Sequence, residues 1–332
     1  MNKVDGGVGI IGAGRYVPKV LVTNQMLENW TGMSGLRIEE LTGIQTRFVA
    51  EDDESASSMS AKAALDAISR AGIKPNQISL IIACTFTGDY VFPAMACKVQ
   101  ELIGATKAGA FDVMANCTGF QVGLSIASDR MSCDSTLDYV LVIGTALQSR
   151  YIDWSDSKSA IYFGDGSGAV VVGRVPNNFG ILGSDVFSNG KVYEAVRMRG
   201  GGSSFPIRPE NVNEKLQYYE LNGLEIWKQV IQNQPLVIQR SLAKVNMSVD
   251  DVDFFIFHQA NLRLIEYLMA KMKKSMEMTY CNVMSIGNTA EASMVIALCD
   301  AIDAGQIKRG QIVVISGVGA GFTFGSTVMR WY

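Results

Sequence analysis

Ala67-Ile-Ser-Arg-Ala-Gly-Ile-Lys-Pro-Asn-Gln-Ile-Ser-Leu-Ile-Ile-Ala-Cys84 and Val237-Ile-Gln-Arg-Ser-Leu-Ala-Lys-Val-Asn-Met-Ser-Val-Asp-Asp-Val-Asp-Phe-Phe-Ile-Phe-His258 share one pattern. Each begins as the end of a helix, breaks at a turn and continues as an apolar run of strand length. The likeness continues downstream. Asp112-Val-Met-Ala-Asn-Cys117, followed by a helix of small residues, resembles Asn282-Val-Met-Ser-Ile-Gly-Asn288, followed by another, and Tyr139-Val-Leu-Val-Ile-Gly144 resembles Gln311-Ile-Val-Val-Ile-Ser316. The spacings are 174 residues from Cys84 to His258, 171 from Cys117 to Asn288 and 172 from Gly144 to Ser316. Three matches at nearly one spacing, half the chain apart, mark an internal duplication whose period is too long for a solenoid. Two halves are expected, 1–175 and 176–332.

Further strand candidates are Val8–Gly12 and Ala169–Gly173, alternating with helical patterns at Ser57–Ala71, Gln121–Met131 and Ser293–Ala304, so the fold class is α/β. In an open α/β sheet, ligands bind beyond the C-terminal strand ends. The duplication sets Cys117 and Asn288 at equivalent strand-to-helix corners and puts His258 at the end of a strand. Two packed copies are therefore expected to bring all three to one cleft.

Composition narrows the function classes. With 29 basic and 32 acidic residues, net charge −3, there is no electrostatic case for a nucleic-acid partner. No apolar run approaches the roughly 20 residues that span a bilayer, and the first residues, Met-Asn-Lys-Val-Asp-Gly-Gly, lack the pattern of an export signal, so a cytoplasmic protein without a membrane partner is expected. The six cysteines (84, 97, 117, 133, 281 and 299) are scattered without metal-ligand or disulfide spacing, and neither a metal nor a cofactor is implied. Gly9-Ile-Ile-Gly-Ala-Gly-Arg-Tyr-Val-Pro18 departs from a dinucleotide loop because Val17 stands in the third glycine's place and Pro18 disturbs the helix that should follow. The chain holds a single histidine, so chemistry that needs an imidazole must use His258.

Cys117, in Ala115-Asn-Cys-Thr-Gly-Phe120, opens a helix, where unpaired N–H groups and the helix dipole favour a thiolate; the alternative is a small core cysteine, the assignment made for the other five. His258 is carried out of the core by four apolar residues and stands beside Gln259 and Asn261, a place open to a structural or a catalytic histidine. Asn288 fits a helix cap as readily as a site residue. Gly317-Val-Gly-Ala-Gly-Phe-Thr-Phe-Gly325 reads either as a loop aiming N–H groups at a developing oxyanion or as a tight turn.

Together, Ala115-Asn-Cys-Thr-Gly-Phe, Phe257-His-Gln-Ala-Asn-Leu-Arg263, Ile286-Gly-Asn-Thr289, Phe163-Gly-Asp-Gly-Ser-Gly-Ala169 and Gly321-Phe-Thr-Phe-Gly-Ser326 resemble the 3-oxoacyl-(acyl-carrier-protein) synthase III family of the thiolase superfamily. The resemblance covers almost the whole chain. It implies a five-layered αβαβα thiolase-like fold, a homodimer, and a catalytic triad of Cys117, His258 and Asn288. It also implies an oxyanion hole from the N–H groups of Cys117 and Ala320, a Phe92 that enters the partner subunit's acyl pocket, and a thioester-carrier contact kept at Arg150; Arg37 and Arg263 are further candidates for binding the thioester carrier. The implied partners are acyl and malonyl thioesters on acyl carrier protein or coenzyme A. The implied activity is acyl transfer: condensation of a Cys-bound acyl group with a malonyl thioester, with decarboxylation, in fatty-acid or specialised, polyketide-like metabolism.

Departures from the family pattern matter as well. Ala320 replaces a glycine, and Arg37, Leu41 and Leu224 stand where residues gripping coenzyme A usually do, which suggests a donor delivered on a carrier protein. Glu291 replaces a small residue. It reads as a stabilising acid in a first helical turn, or, if it faces the cleft, as a specificity residue for an amine- or hydroxyl-bearing substrate. Arg263, Lys271, Lys273 and Lys274 suit an acidic carrier protein or a solvated helix face. Acyl transfer to an oxygen or nitrogen acceptor without decarboxylation, a cysteine thioester hydrolase, and a silent subunit of a heterodimer are the competing functions.

Overall fold

The computed structural model describes residues 6–332; Met1–Asp5, which open the segment read for export, lie outside the described residues. The first main sheet contains β1 (Gly7–Tyr16), β4 (Ile78–Cys84), β5 (Gly109–Val113), β6 (Tyr139–Ala146) and β7 (Gly166–Val175), in the order β1-β7-β6-β4-β5. The second contains β8 (Gly180–Ser188), β11 (Phe254–Phe257), β12 (Ile312–Gly319) and β13 (Thr323–Arg330), in the order β11-β12-β13-β8. The first sheet has two parallel pairs, β5 with β4 and β4 with β6, and the second has one, β11 with β12; in each sheet the next two pairs are antiparallel. Where β5 flanks β4 in the first sheet, Thr279 makes a parallel bridge to Phe255 in the second. Short ribbons of β2 (Val20–Thr23) with β3 (Thr46–Val49), and of β9 (Val196–Met198) with β10 (Tyr219–Leu221), lie outside the sheets.

Helices complete five layers. On the outside of the first sheet lie α3 (Ala56–Arg70) and α4 (Met95–Ile103), and outside the second lie α6 (Gly223–Ala243) and α7 (Leu262–Lys271). Between the sheets run α5 (Gly119–Cys133) and α9 (Ser293–Asp303), each touching both. A helix sandwiched between sheets is apolar nearly all round, and in α9 every residue from Ser293 to Cys299 is buried. The largest apolar cluster joins the facing sides of both sheets through Phe120, Leu124, Met294 and Leu298. Small residues let these layers approach. A Cβ on Gly123 of α5 would fall 2.6 Å from Cys84 Sγ, and one on Gly14 of β1 only 2.2 Å from the Ala67 nitrogen of α3. The glycines of 9–18 therefore serve an antiparallel strand that seats a helix.

Two smaller helices, α1 (Asn24–Thr31) and α2 (Gly35–Thr42), pack on each other, α2 also touching α7, and α8 (Val283–Ile286) precedes Asn288. Among the described residues no helix is long and apolar enough to cross a membrane. All six cysteines are free thiols.

Candidate active site

The first corner follows β5. Its chain turns at Asn116–Thr118 and enters α5, with Asn116 in the left-handed region at φ 47°, a conformation asparagine tolerates better than most residues. Thr118 Oγ1 donates to the Thr323 carbonyl at 2.8 Å and Asn116 Nδ2 to the Ala320 carbonyl at 3.2 Å, so the β12–β13 hairpin of the second half holds this turn. Gly319 must lack a side chain here: a Cβ would meet the Ala115 carbonyl at 2.5 Å. Cys117 is half-buried at the mouth of the turn. The expectation of a resting thiolate is corrected: burial, and then the nearby Glu291 carboxyl, push the Cys117 thiol well above its ordinary value. Desolvation of a charge outweighs one helix N-terminus.

The second corner carries His258, whose backbone N–H donates to the Ser316 carbonyl at 3.0 Å just beyond β11. Its Nδ1 lies 2.7 Å from the Oγ of Ser293, the first residue of α9, and that same oxygen accepts the Gln259 N–H at 3.2 Å. With the oxygen already accepting from Gln259, the serine hydroxyl hydrogen is free to donate to Nδ1, which leaves Nε2 as the protonated, donating nitrogen of a neutral ring. Neutrality follows from burial as well, which pushes the His258 value down from 6.5 to about 4.

Asn288 is fixed at three points. Its N–H donates to the Tyr162 carbonyl at 2.9 Å, and its carbonyl accepts from Gly164 N–H at 3.0 Å and Gln148 Nε2 at 2.6 Å. Its Oδ1 accepts from Ala290 N–H at 2.9 Å. The side chain thus caps the turn that follows while keeping the Nδ2 hydrogens for another partner. Ser293 and Gln148, which hold His258 and Asn288, are fully buried polar residues that the sequence reading missed. Their signal was present but faint: Ser293 stands before the apolar Met294–Leu298, and Gln148 follows Val140–Leu147, a mainly apolar run that contains Thr145.

Cys117, His258, Asn288 and Ala320 all border one cavity of about 400 Å³, whose wall is otherwise largely apolar and includes Leu41, Ile226, Trp227, Leu264 and Phe322. Ala320 does not have positive φ; that conformation falls on Gly321 at 127°. Arg37, Arg150 and Arg263 are not part of the wall. Arg37 pairs with Glu40 at 3.1 Å on the surface, and Arg263 pairs with Glu266 at 3.1 Å and donates to the carbonyls of Glu40 and Glu39 at the end of α2. Arg150 donates to the Glu54 carbonyl at 2.7 Å. Phe92 is 83% exposed, next to Val91 at 94%. Lys271 Nζ donates to the Ile231 carbonyl and Lys274 pairs with Asp250, so these two are engaged within the chain.

Glu291 stands in the first turn of a short helix, as one of the two readings expected. It is completely buried in the turn Ala290–Ala292, and it does not border the cavity. The turn is pressed between β6 and the Cys117 corner, because Gly144 and Gly119 have no side chains to keep it away.

Two sequence patterns match the chain: 3-oxoacyl-[acyl-carrier-protein (ACP)] synthase III over residues 111–190 and the C-terminal part of the same enzyme over 242–331. The chain is 37% identical over 325 residues to the beta-ketoacyl-[acyl-carrier-protein] synthase III of Natranaerobius thermophilus, covering 97% of this chain and 98% of that protein. Among solved structures, 3-oxoacyl-[acyl-carrier-protein] synthase III from Aquifex aeolicus superposes with a TM-score of 0.90 at 34% identity, over 98% of this chain and 100% of that one. The priming beta-ketosynthase of the R1128 polyketide biosynthetic pathway does so with a TM-score of 0.91 at 27% identity, over 100% and 98% of the two chains.

Proposed function

This chain belongs to the 3-oxoacyl-[acyl-carrier-protein] synthase III family, and from that premise we propose that it condenses an acyl group held on Cys117 with a malonyl thioester, releasing CO₂, in fatty-acid or polyketide-like metabolism. The observation that carries this reading is the meeting of Cys117, His258 and Asn288, drawn from both halves of the duplication, on one apolar cavity.

In the first step Cys117 Sγ bonds to the carbonyl carbon of an acyl thioester, the donor's C–S bond breaks, and the thiol proton leaves with the departing thiol. The N–H groups of Cys117 and Ala320 face the oxyanion that forms on the way. In the second step the malonyl thioester loses CO₂, and the electron pair moves onto its thioester carbonyl. A neutral His258 with Nε2–H outward and an Asn288 with free Nδ2 hydrogens are both donors, so both stabilise that enolate oxygen. The enolate carbon then attacks the acyl-enzyme, and Cys117 departs. The apolar wall excludes water, which disfavours hydrolysis of the acyl-enzyme.

The donor arrives on acyl carrier protein. Leu41 borders the cavity, Leu224 is 82% exposed and Arg37 is engaged by Glu40, which together give a poor grip for a nucleotide. The working form is a homodimer in the cytoplasm, with the exposed Val91–Phe92 loop buried against the partner subunit's acyl pocket. Intact-protein mass spectrometry after incubation with acyl thioesters on coenzyme A and on carrier protein tests the first step. A mass gain in wild type that is absent from Cys117→Ala supports it; a gain retained by Cys117→Ala removes it. Release of CO₂ from malonyl thioester by the acylated enzyme tests the second, and acyl transfer without CO₂ release rejects it.

A further inference from the structure

Glu291 is a buried acid that the steps above do not use. Among the described residues neither of its carboxyl oxygens has a hydrogen-bond partner, and the side chain has no exposed surface. Its Cγ would lie 3.3 Å from a Cβ on Gly119, two residues after Cys117, and its turn packs against Asn116–Thr118. The titratable groups that feel it are Cys117 from that turn, Cys84 at the end of β4 and Tyr219 from β10; β6, β7, α5 and α9, also packed on its turn, present none to it. Among the described residues no lysine, arginine or histidine balances it, and only its own N–H and that of Phe86 lean toward it. An acid so placed loses its charge, because desolvation of a carboxylate without a counter-ion is costly.

Taking Cys117 as the nucleophile, we propose that Glu291 governs when Cys117 becomes a thiolate: the protonated carboxyl permits the thiolate, and the ionised carboxyl behind it suppresses it. Glu291 is a positioning residue in this scheme, since it touches no substrate and acts through the sulfur. Two anions buried back to back with no cation do not coexist, so the pair titrates as a unit. His258 takes no part in the coupling, its value being set by burial alone. The acyl-specificity role is displaced for a physical reason: the side chain has no exposed surface and does not border the cavity.

The test is alkylation of the full chain with iodoacetamide from pH 6 to pH 10, reading Cys117 by peptide mapping in wild type, Glu291→Gln and Glu291→Ala, with Cys117→Ala to identify the peptide. Glutamine keeps the shape and the neutral state at every pH. At the acid end wild type and Glu291→Gln should react alike. At the alkaline end Glu291→Gln should react on the order of tenfold faster, and Glu291→Ala should move in the same direction. Superimposable profiles, or slower alkylation in Glu291→Gln, overturn the proposal. Thermal melts of the variants confirm that folded protein is compared. Acyl-enzyme formation from an acyl thioester, run alongside, separates the two readings: a chain that alkylates with the expected Glu291 dependence but never acylates at Cys117 defeats the condensing reading and leaves the coupling intact.

Discussion

Cys84 and His258 occupy the same place in the two halves, each at the end of the strand that runs parallel to its neighbour, yet one is sealed and the other opens on the cavity. Cys84 is fully buried, covered by Gly123 of α5, where a Cβ would come within 2.6 Å of its sulfur. His258 retains 9% exposure, and the nearby Gly317 and Ser293 leave its ring a free edge. The same contrast separates the two corners. The first presents a sulfur on a turn packed against a buried acid, and the second presents an amide whose oxygen is occupied and whose nitrogen is free. A duplicated frame thus supplies two unlike tools, a nucleophile from one half and hydrogen-bond donors from the other.

The greatest loss is expected where the two corners differ in chemistry. Cys117→Ala should abolish acyl-enzyme formation altogether, whereas His258→Ala and Asn288→Ala should still acylate but lose condensation by about 10²–10³-fold; intact mass and CO₂ release, measured on the same samples, distinguish the two halves. Loss of acylation in His258→Ala would erase the division of labour. Ser293→Ala comes next. It frees Nδ1 and leaves the Gln259 N–H without its acceptor, so condensation should fall about tenfold with a stability loss of about 1–3 kcal/mol, read by steady-state rates and thermal melts.

A pH scan probes the open strand end directly. The folded value of His258 lies below the ordinary one, so between pH 6.5 and about 4 the unfolded chain binds a proton that the folded chain refuses. His258 therefore adds nothing adverse above pH 6.5, and stability falls as pH drops through that window, levelling near pH 4. Denaturant titrations of wild type and His258→Asn should diverge there and run parallel above about pH 7. The sealed end is probed by Gly123→Ala, which forces a methyl against Cys84 Sγ and Val142 and should cost about 1–3 kcal/mol in a thermal melt. The smallest effect is expected from Ala320→Gly, since the N–H stays and φ is not positive: rates within about twofold, with a stability loss of about 0.4–1 kcal/mol from a more flexible unfolded chain.

Much of this was legible in the chain. The α/β class and the duplication rest on periodicity and on spacing, which are properties of sequence; spacing also set Cys117, His258 and Asn288 toward one cleft, while their choice as a triad rested on the resemblance to a known family. Glu291 was not legible, because an acid three residues after Asn288 has the same local signature whether it faces water or the core. Ser293 and Gln148 were missed for the same reason, since a hydroxyl or an amide shows its purpose only through the partner that another element brings to it.

Which segments become strands and helices, and that the halves repeat, follow from the chain alone, because side-chain periodicity and turn chemistry act over a few residues. That Cys117 rests as a thiol, that His258 is held neutral by burial with its Nδ1 against Ser293, and that Glu291 lies buried against the nucleophile's turn came only with the assembled fold. Charge state depends on desolvation and on groups remote in the chain. Glu291 stands 174 residues beyond Cys117, against whose turn its own turn packs, and no local pattern encodes that distance.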